Sequence, residues 1–125
     1  VPSPGEIYQF FSTDAGYKKY HLCISLDGCF LYLNSPRQKS FPGDFTISNS
    51  DVPFLPETEN GNSIISCNLV VKKTSADLRA ANAKLLGTIS TELLRKLLLF
   101  IEATPVMSEE DRELALDGLG DWVGS

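Results

Sequence analysis

Residues 19–34, KYHLCISLDGCFLYLN, decide how the fold is read. Asp27-Gly28 is a strong hairpin signal, because two-residue turns need positive φ and match the twist of their flanking strands. Folding the segment about it places Leu26 opposite Cys29, Ile24 opposite Leu31, Cys23 opposite Tyr32 and His21 opposite Asn34. Side chains alternate along a strand and cross-strand partners share a face. One face then carries Leu22, Ile24, Leu26, Cys29, Leu31 and Leu33, which is a core face. The other carries Lys19, His21, Cys23, Ser25, Phe30, Tyr32 and Asn34. Cys23 and Cys29 point to opposite faces, so reduced, partly buried thiols are expected rather than a disulfide. No CxxC or other zinc spacing connects them to Cys67.

The rest of the first two-thirds also reads as strands. Residues 6–11 form a short aromatic strand entered through Pro4-Gly5, residues 45–48 a weak one, and residues 63–71 a buried one rich in Ile and Val. Loops rich in proline separate them. The period changes after that. Residues 75–85 read as a short helix with Gly87 as its C-terminal cap. Ser90 can cap a helix running to about residue 103, on which Leu93, Leu94, Leu97, Leu98 and Ile101 make one apolar stripe. Leu99 and Phe100 widen that stripe and are candidates either for a dimer contact or for further core packing. Pro105 breaks the helix, and Ser108-Glu109-Glu110-Asp111 opens a third one, closed by Gly118. Strands followed by helices define an α+β class, here one domain built on a small curled sheet or barrel of about five to seven strands. Residues 1–71 are its mainly β part, 75–103 its helical part, 108–118 an additional acidic helix and 119–125 a tail. That tail, with Trp122, reads either as frayed or as an acidic plug over a basic groove.

The 125 residues suit one core, with 42% apolar and 22% charged residues. No run approaches the roughly 18 apolar residues of a membrane span. No signal peptide is evident, although the chain starts at Val1 without a methionine, and the cytoplasm is the default location. A net charge of -5 argues against bulk capture of nucleic acid. Lys18, Lys19, Arg37 and Lys39 nevertheless cluster in the first third, and the acids concentrate after Ser108.

In the register drawn above, His21, Asn34 and Lys19 converge on the less apolar face. Imidazole is the usual acid or base near neutral pH, and a lysine can hold a phosphate. The plainer alternative is a half-exposed strand histidine bonded to its neighbour. No GxSxG nucleophile turn, transition-metal cluster or glycine-rich phosphate loop occurs, so no metal and no cofactor is expected.

Pro4-Gly5-Glu6-Ile7-Tyr8 resembles the opening of the MazF/PemK toxins, P-G-[DE]-I-[YW]. KYHLCIS at 19–25 stands where that family has R-P-V-L-V-I-S, and residues 30–35 resemble its next strand, which ends at a catalytic threonine. Residues 63–68 resemble S-x-V-x-x-[DE]-Q-I-R, and Leu85-Leu86-Gly87-Thr88-Ile89-Ser90 resembles the L-G-x-L-S before the last helix. The resemblance implies an SH3-like barrel, a homodimer, metal-independent cleavage of single-stranded RNA and neutralisation by a small antitoxin peptide. It places Lys19 at the family's arginine, keeping the charge but losing the bidentate fork. The threonine falls on Asn34 or Ser35, and the acid-Gln-Ile-Arg segment becomes Asn68-Leu69-Val70-Val71. On this reading Lys19, Asn34 and Ser35 are catalytic candidates, and His21, which the hairpin register adds and the family pattern does not contain, is a fourth as a substitute acid or base. Lys18, Arg37, Lys39 and Tyr32 contact RNA, and Leu99 and Phe100 join two copies. A rival reading keeps the barrel but makes it a catalytically silent module that captures a protein partner.

Overall fold

A computed structural model describes residues 1–13, 15–36 and 39–124. Its strands are β1 (Glu6–Ser12), β2 (Tyr17–Cys23), β3 (Cys29–Asn34), β4 (Asp44–Ser48), β5 (Asn62–Lys72) and β6 (Lys84–Thr88). Its helices are α1 (Ser75–Ala80), α2 (Thr91–Ala103) and α3 (Glu109–Val123), with one 3₁₀ turn at Asn49–Asp51. The strands form a single antiparallel sheet in the order β4-β5-β3-β2-β1-β6, curled into a half-barrel. The class is therefore α+β.

Both faces of this sheet are covered, which explains why the central strands carry so few exposed side chains. The larger core joins Ile7, Leu22, Ile24, Leu31, Leu33 and Ile65 to Leu94, Leu97 and Ile101 of α2 and to Ala115 and Leu119 of α3. On the opposite face a smaller core gathers Phe10, Cys23, Phe30 and Leu78 of α1. All three cysteines are free thiols, fully buried rather than partly so.

The two faces of the β2–β3 hairpin are those expected, but its register is displaced by two residues. Cys23 faces Phe30, Leu22 faces Leu31, and His21 faces Tyr32 rather than Asn34. The cause is Ser25. Its hydroxyl accepts the Asp27 amide at 2.9 Å and its carbonyl accepts the Gly28 amide at 3.3 Å, while the Ile24 amide donates to Cys29 at 2.9 Å. Local hydrogen bonds from serine compete with the ladder in this way. The loop is consequently 25–28, with Leu26 left 55% exposed instead of in the core. Gly28 takes φ +85°, and its α-carbon lies against the Lys73 carbonyl, where a Cβ would come within 2.2 Å.

Two helical expectations are corrected. The helix beginning at Ser75 stops at Ala80, and Asn82 at φ 51° turns the chain into β6, which pairs with β1. Backbone pairing and apolar packing outweigh the weak helical preference of residues 81–85. Gly87 is therefore a strand residue lying under the ring of Phe54, not a cap. Gly118 likewise does not end α3, which continues to Val123. It lets the helix touch the hairpin loop, since a Cβ there would sit 2.4 Å from the Ile24 carbonyl oxygen and 2.5 Å from the Ser25 Cβ. Residues 119–123 are thus helix, with Leu119 and Val123 in the core, and are neither a frayed tail nor a plug.

The remaining helix ends are as expected. The Ser90 and Ser108 hydroxyls accept the Leu93 and Asp111 amides at 3.1 and 3.2 Å. The far ends are closed by each other's arginines. Arg112 donates to the Ile101 and Glu102 carbonyls at the end of α2 and to the Met107 carbonyl in the connection that follows, and Arg95 donates to the Val123 carbonyl at 3.3 Å. Phe100 packs on Phe45 with ring centroids 5.2 Å apart, whereas Leu99 is 64% exposed.

Replacing Gly118 by alanine tests the helix–loop contact. The better helix propensity is worth about 1 kcal/mol in the variant's favour, and overpacking typically costs about 1–3 kcal/mol. Because the obstruction is backbone, the expected result is a net loss of roughly 1–2 kcal/mol by denaturant unfolding. A stabilised G118A protein would contradict the packing described.

Candidate functional site

The face that carries the smaller core becomes polar at the end of the sheet away from the hairpin loop. There the alternation that buries Cys23 and Phe30 presents Lys19 from β2, Tyr32 and Asn34 from β3, Ser12 from β1 and Ser66 from β5. Lys19 Nζ donates to Asn34 Oδ1 at 2.5 Å, and Asn34 Nδ2 donates to Ser66 Oγ at 2.5 Å. The same ammonium lies 4.5 Å from the centroid of the Tyr32 ring, a cation–π distance. Tyr32 OH and Ser12 Oγ share a hydrogen bond of 3.1 Å, and Ser12 Oγ also accepts the Ala15 amide at 3.2 Å. Four strands thereby contribute one polar chain, Ser12–Tyr32–Lys19–Asn34–Ser66.

His21 sits directly behind that chain and has no exposed surface. Its ring is stacked on Phe10 at 3.6 Å with an interplanar angle of 8°, meets Phe30 edge-on and tilts against Tyr32 at 5.1 Å. Nδ1 lies 3.0 Å from the Lys19 carbonyl oxygen, which can only accept, so Nδ1 carries the proton. Nε2 is then a bare acceptor, and it has no partner among the described residues. Burial pushes the imidazole down to about 4, against the opposing hydrogen bond to the Lys19 carbonyl and with lesser help from the charges of Lys19 and Lys73. The expected half-exposed imidazole beside Asn34 is thus replaced by a neutral, buried ring. It fixes the backbone of Lys19 and offers no surface to a substrate. Burial likewise pushes the Cys23 and Cys67 thiols up to about 12, which leaves them protonated and poor nucleophiles.

A cleft of about 640 Å³ opens at this end of the sheet. One wall is Tyr17, Lys18, Lys19 and Tyr20 with Leu33, Asn34, Ser35 and Pro36; the other is the segment 55–60 with Ser63. Tyr17 is 59% exposed, with its ring centroid 6.0 Å from Lys19 Nζ. Four residues singled out from the sequence, Lys18, Lys19, Asn34 and Ser35, therefore line one cavity. Tyr32 lies beneath Lys19, and His21 behind it. Lys39 is exposed and does not line the cleft. Arg37 lies outside the described residues. Leu99 and Phe100 belong to α2, on the other side of the sheet from α1. Sequence reasoning passed over Ser12, Tyr17, Ser66, Glu57 and Glu59. Tyr17 and Ser12 carried a signal, since both continue the alternation of their strands. Ser66 enters only because β5 lies beside β3.

Among the described residues no group of three or more His, Cys, Asp and Glu side chains is placed to hold a metal ion. No described helix is long and apolar enough to cross a membrane. No protein-family model, curated protein or solved structure matches the chain.

The burial of His21 sets a pH dependence. Its folded value of about 4 lies below the ordinary 6.5. Between these pH values the unfolded chain takes up a proton that the folded chain refuses. The stability associated with the neutral ring is therefore complete above pH 6.5 and lost as pH falls toward 4, by about 3 kcal/mol. Denaturant unfolding across this range should show that loss, and a His21→Gln variant should lack it. The chain has one histidine, so its ring NMR signals are unambiguous. Titration near pH 6.5 in the folded protein would contradict the burial described.

Proposed function

We propose that the chain is a growth-inhibiting toxin of the MazF/PemK kind, an SH3-like barrel that binds single-stranded RNA in the cleft and cleaves it without a metal ion. The observation that carries this reading is the convergence of Lys18, Lys19, Asn34 and Ser35 on one cavity with the exposed ring of Tyr17. Two lysines lining one cavity suit the RNA backbone, and an exposed aromatic ring suits an unstacked base. Lys19 is held by Asn34 and by the face of Tyr32, so its charge is already oriented before a ligand arrives.

The chemistry is attack by a ribose 2′-hydroxyl on the adjacent phosphate. The 2′-oxygen–phosphorus bond forms, and the bond to the 5′-oxygen of the next nucleotide breaks. A 2′,3′-cyclic phosphate and a 5′-hydroxyl result, with solvent water taking the proton from the 2′-oxygen and returning one to the leaving oxygen. Lys19 supplies positive charge to the phosphoryl oxygens as negative charge builds on them, and the Ser35 hydroxyl is a second donor at the same wall. With His21 behind the wall, proton removal from the 2′-hydroxyl lacks a positioned imidazole. General acid–base catalysis is typically worth about 10²- to 10⁴-fold, so slow turnover is expected. Action on RNA places the protein in the cytoplasm. Its protein partners are a second copy, through the exposed Leu99 beside Phe100, and a small antitoxin peptide.

The buried His21 also favours a second reading, in which the cleft binds its partner and cuts nothing. Long single-stranded RNA incubated with the protein in EDTA separates the two, with binding measured in parallel. Selective cuts that fall at least about tenfold in Lys19→Ala and Asn34→Ala variants would support the ribonuclease. Binding without cutting would select the silent module. Absence of both, together with no growth inhibition on expression, would overturn the proposal.

A further inference from the structure

The second wall of the cleft opposes the first in charge. Glu57 and Glu59 both line it and are exposed, on either side of Thr58. Thr58 is fastened: its hydroxyl donates to the Asn62 carbonyl at 2.5 Å and lies 3.2 Å from Asn49 Oδ1, and its carbonyl accepts the Gly61 amide at 3.1 Å. Leu55 anchors the same segment in the core. The two carboxylates thus stand on a held stretch of backbone. Among the described residues neither is in an ion pair, and neither is Lys18 across the cavity. Residues of both charge signs, Lys18 and Lys19 with Glu57 and Glu59, therefore line one cavity of about 640 Å³.

A ligand that satisfies both walls is anionic at one end and a hydrogen-bond donor at the other. A nucleotide in single-stranded RNA has this form when its base is splayed away from the backbone. A carboxylate only accepts hydrogen bonds. It therefore suits the amino groups of cytosine, adenine or guanine, and is repelled by the carbonyl oxygens that flank the single N–H of uracil. On the foundation of the RNA-binding reading above, we infer that Glu57 and Glu59 determine base specificity, selecting nucleotides with an amino group and rejecting uridine. Lys18 and Lys19 hold the phosphate, and Tyr17, on the same wall as the lysines, is the stacking surface.

Cytosine and uracil have the same shape and differ at the group in question, so they make the cleanest pair of probes. The experiment measures binding of 2′-O-methyl oligocytidylate and oligouridylate of equal length, which cannot be cut, to the intact protein. The wild type should prefer the cytidine oligomer by about tenfold or more, within the range one well-placed base contact supplies. In a Glu57→Gln/Glu59→Gln double variant each side chain gains a donor that suits the uracil oxygen, so the preference should fall to within about threefold. Lys19→Ala should weaken both oligomers equally, because it touches phosphate and not base. Equal binding of both oligomers by the wild type, with loss of both in Lys19→Ala, would overturn the specificity inference and leave the RNA-binding reading standing. A preference that survives the double substitution, with unchanged thermal unfolding, would assign the specificity to other residues and overturn the inference. No binding of either oligomer would remove both readings together.

Discussion

The central hairpin is buried on both of its faces, and most of the remaining architecture answers that constraint. A strand with one covered face needs a single apolar set; β2 and β3 need two. Leucine and isoleucine fill the set that meets α2 and α3, and Phe10, Cys23, Phe30 and His21 fill the set beneath α1. An imidazole is an unusual choice there, since a buried polar group needs a partner. The structure meets this need by half. Nδ1 donates to the Lys19 carbonyl, Nε2 meets no partner among the described residues, and stacking on Phe10 supplies the contact area a hydrophobic side chain would have given. The bond to Lys19 links this core to the cleft, because the residue it anchors is the one whose ammonium stands on Tyr32. The smaller core is thus the floor on which the polar chain rests.

The helical layer depends on cross-capping. A helix ends with unpaired carbonyls, and neither α2 nor α3 has a basic residue in its own last turn. Each borrows an arginine from the other, Arg112 for α2 and Arg95 for α3. The pair is therefore fastened at both ends as well as through Leu97, Ile101, Ala115 and Leu119. It is tied to the sheet where β5 departs from regular pairing: the ladder shifts between Phe30 and Tyr32, and the Val70 amide goes to Asp111 Oδ2 at 3.1 Å. A carboxylate in the first turn of α3 thus satisfies a strand amide that the irregular ladder leaves over.

Legibility in the sequence followed the range of the interactions. Alternation over 19–34 assigned Lys19, His21, Leu22 and Cys23 of β2 and all of β3 to their true faces, and the serine caps at 90 and 108 marked true helix starts. Those are local properties. The hairpin register failed by two residues because the Ser25 hydroxyl, itself local, competed with the Asp-Gly rule and won. Residues 81–85 failed because a tertiary partner, β1, turned the end of a weakly helical stretch into an edge strand. Gly87 and Gly118 were misread as helix ends for a related reason. Their lack of a side chain serves close contact with Phe54 and with the hairpin loop, and such contacts have no signature in a single sequence. The site divides along the same line. Lys19 and Asn34 were brought together by alternation, whereas Ser66 depended on strand order and Glu57 and Glu59 on the path of a long loop.

Net charge gives a misleading picture of the cleft for a reason the fold makes clear. Helix α3 carries six carboxylates against Arg112 alone, so the whole formal charge of -5 resides on this helix and the rest of the chain is balanced. Its contacts with the sheet, Asp111 with Val70, Glu110 with Lys72 and Gly118 with Ser25, all fall at the end bearing the hairpin loop. Lys18, Lys19 and Asn34 stand at the opposite end of the same strands. At about 3.3 Å per residue, the length of β2 separates the two regions by roughly 20 Å. The Debye length at physiological salt is about 8 Å, so the acidic helix is largely screened from the cleft. What stands there is a local set of charges, with Lys18, Lys19, Glu57 and Glu59 lining one cavity. An acidic isoelectric point therefore excludes a long polyanion wrapped over the whole surface, and leaves open a short single-stranded segment held at one end of the sheet.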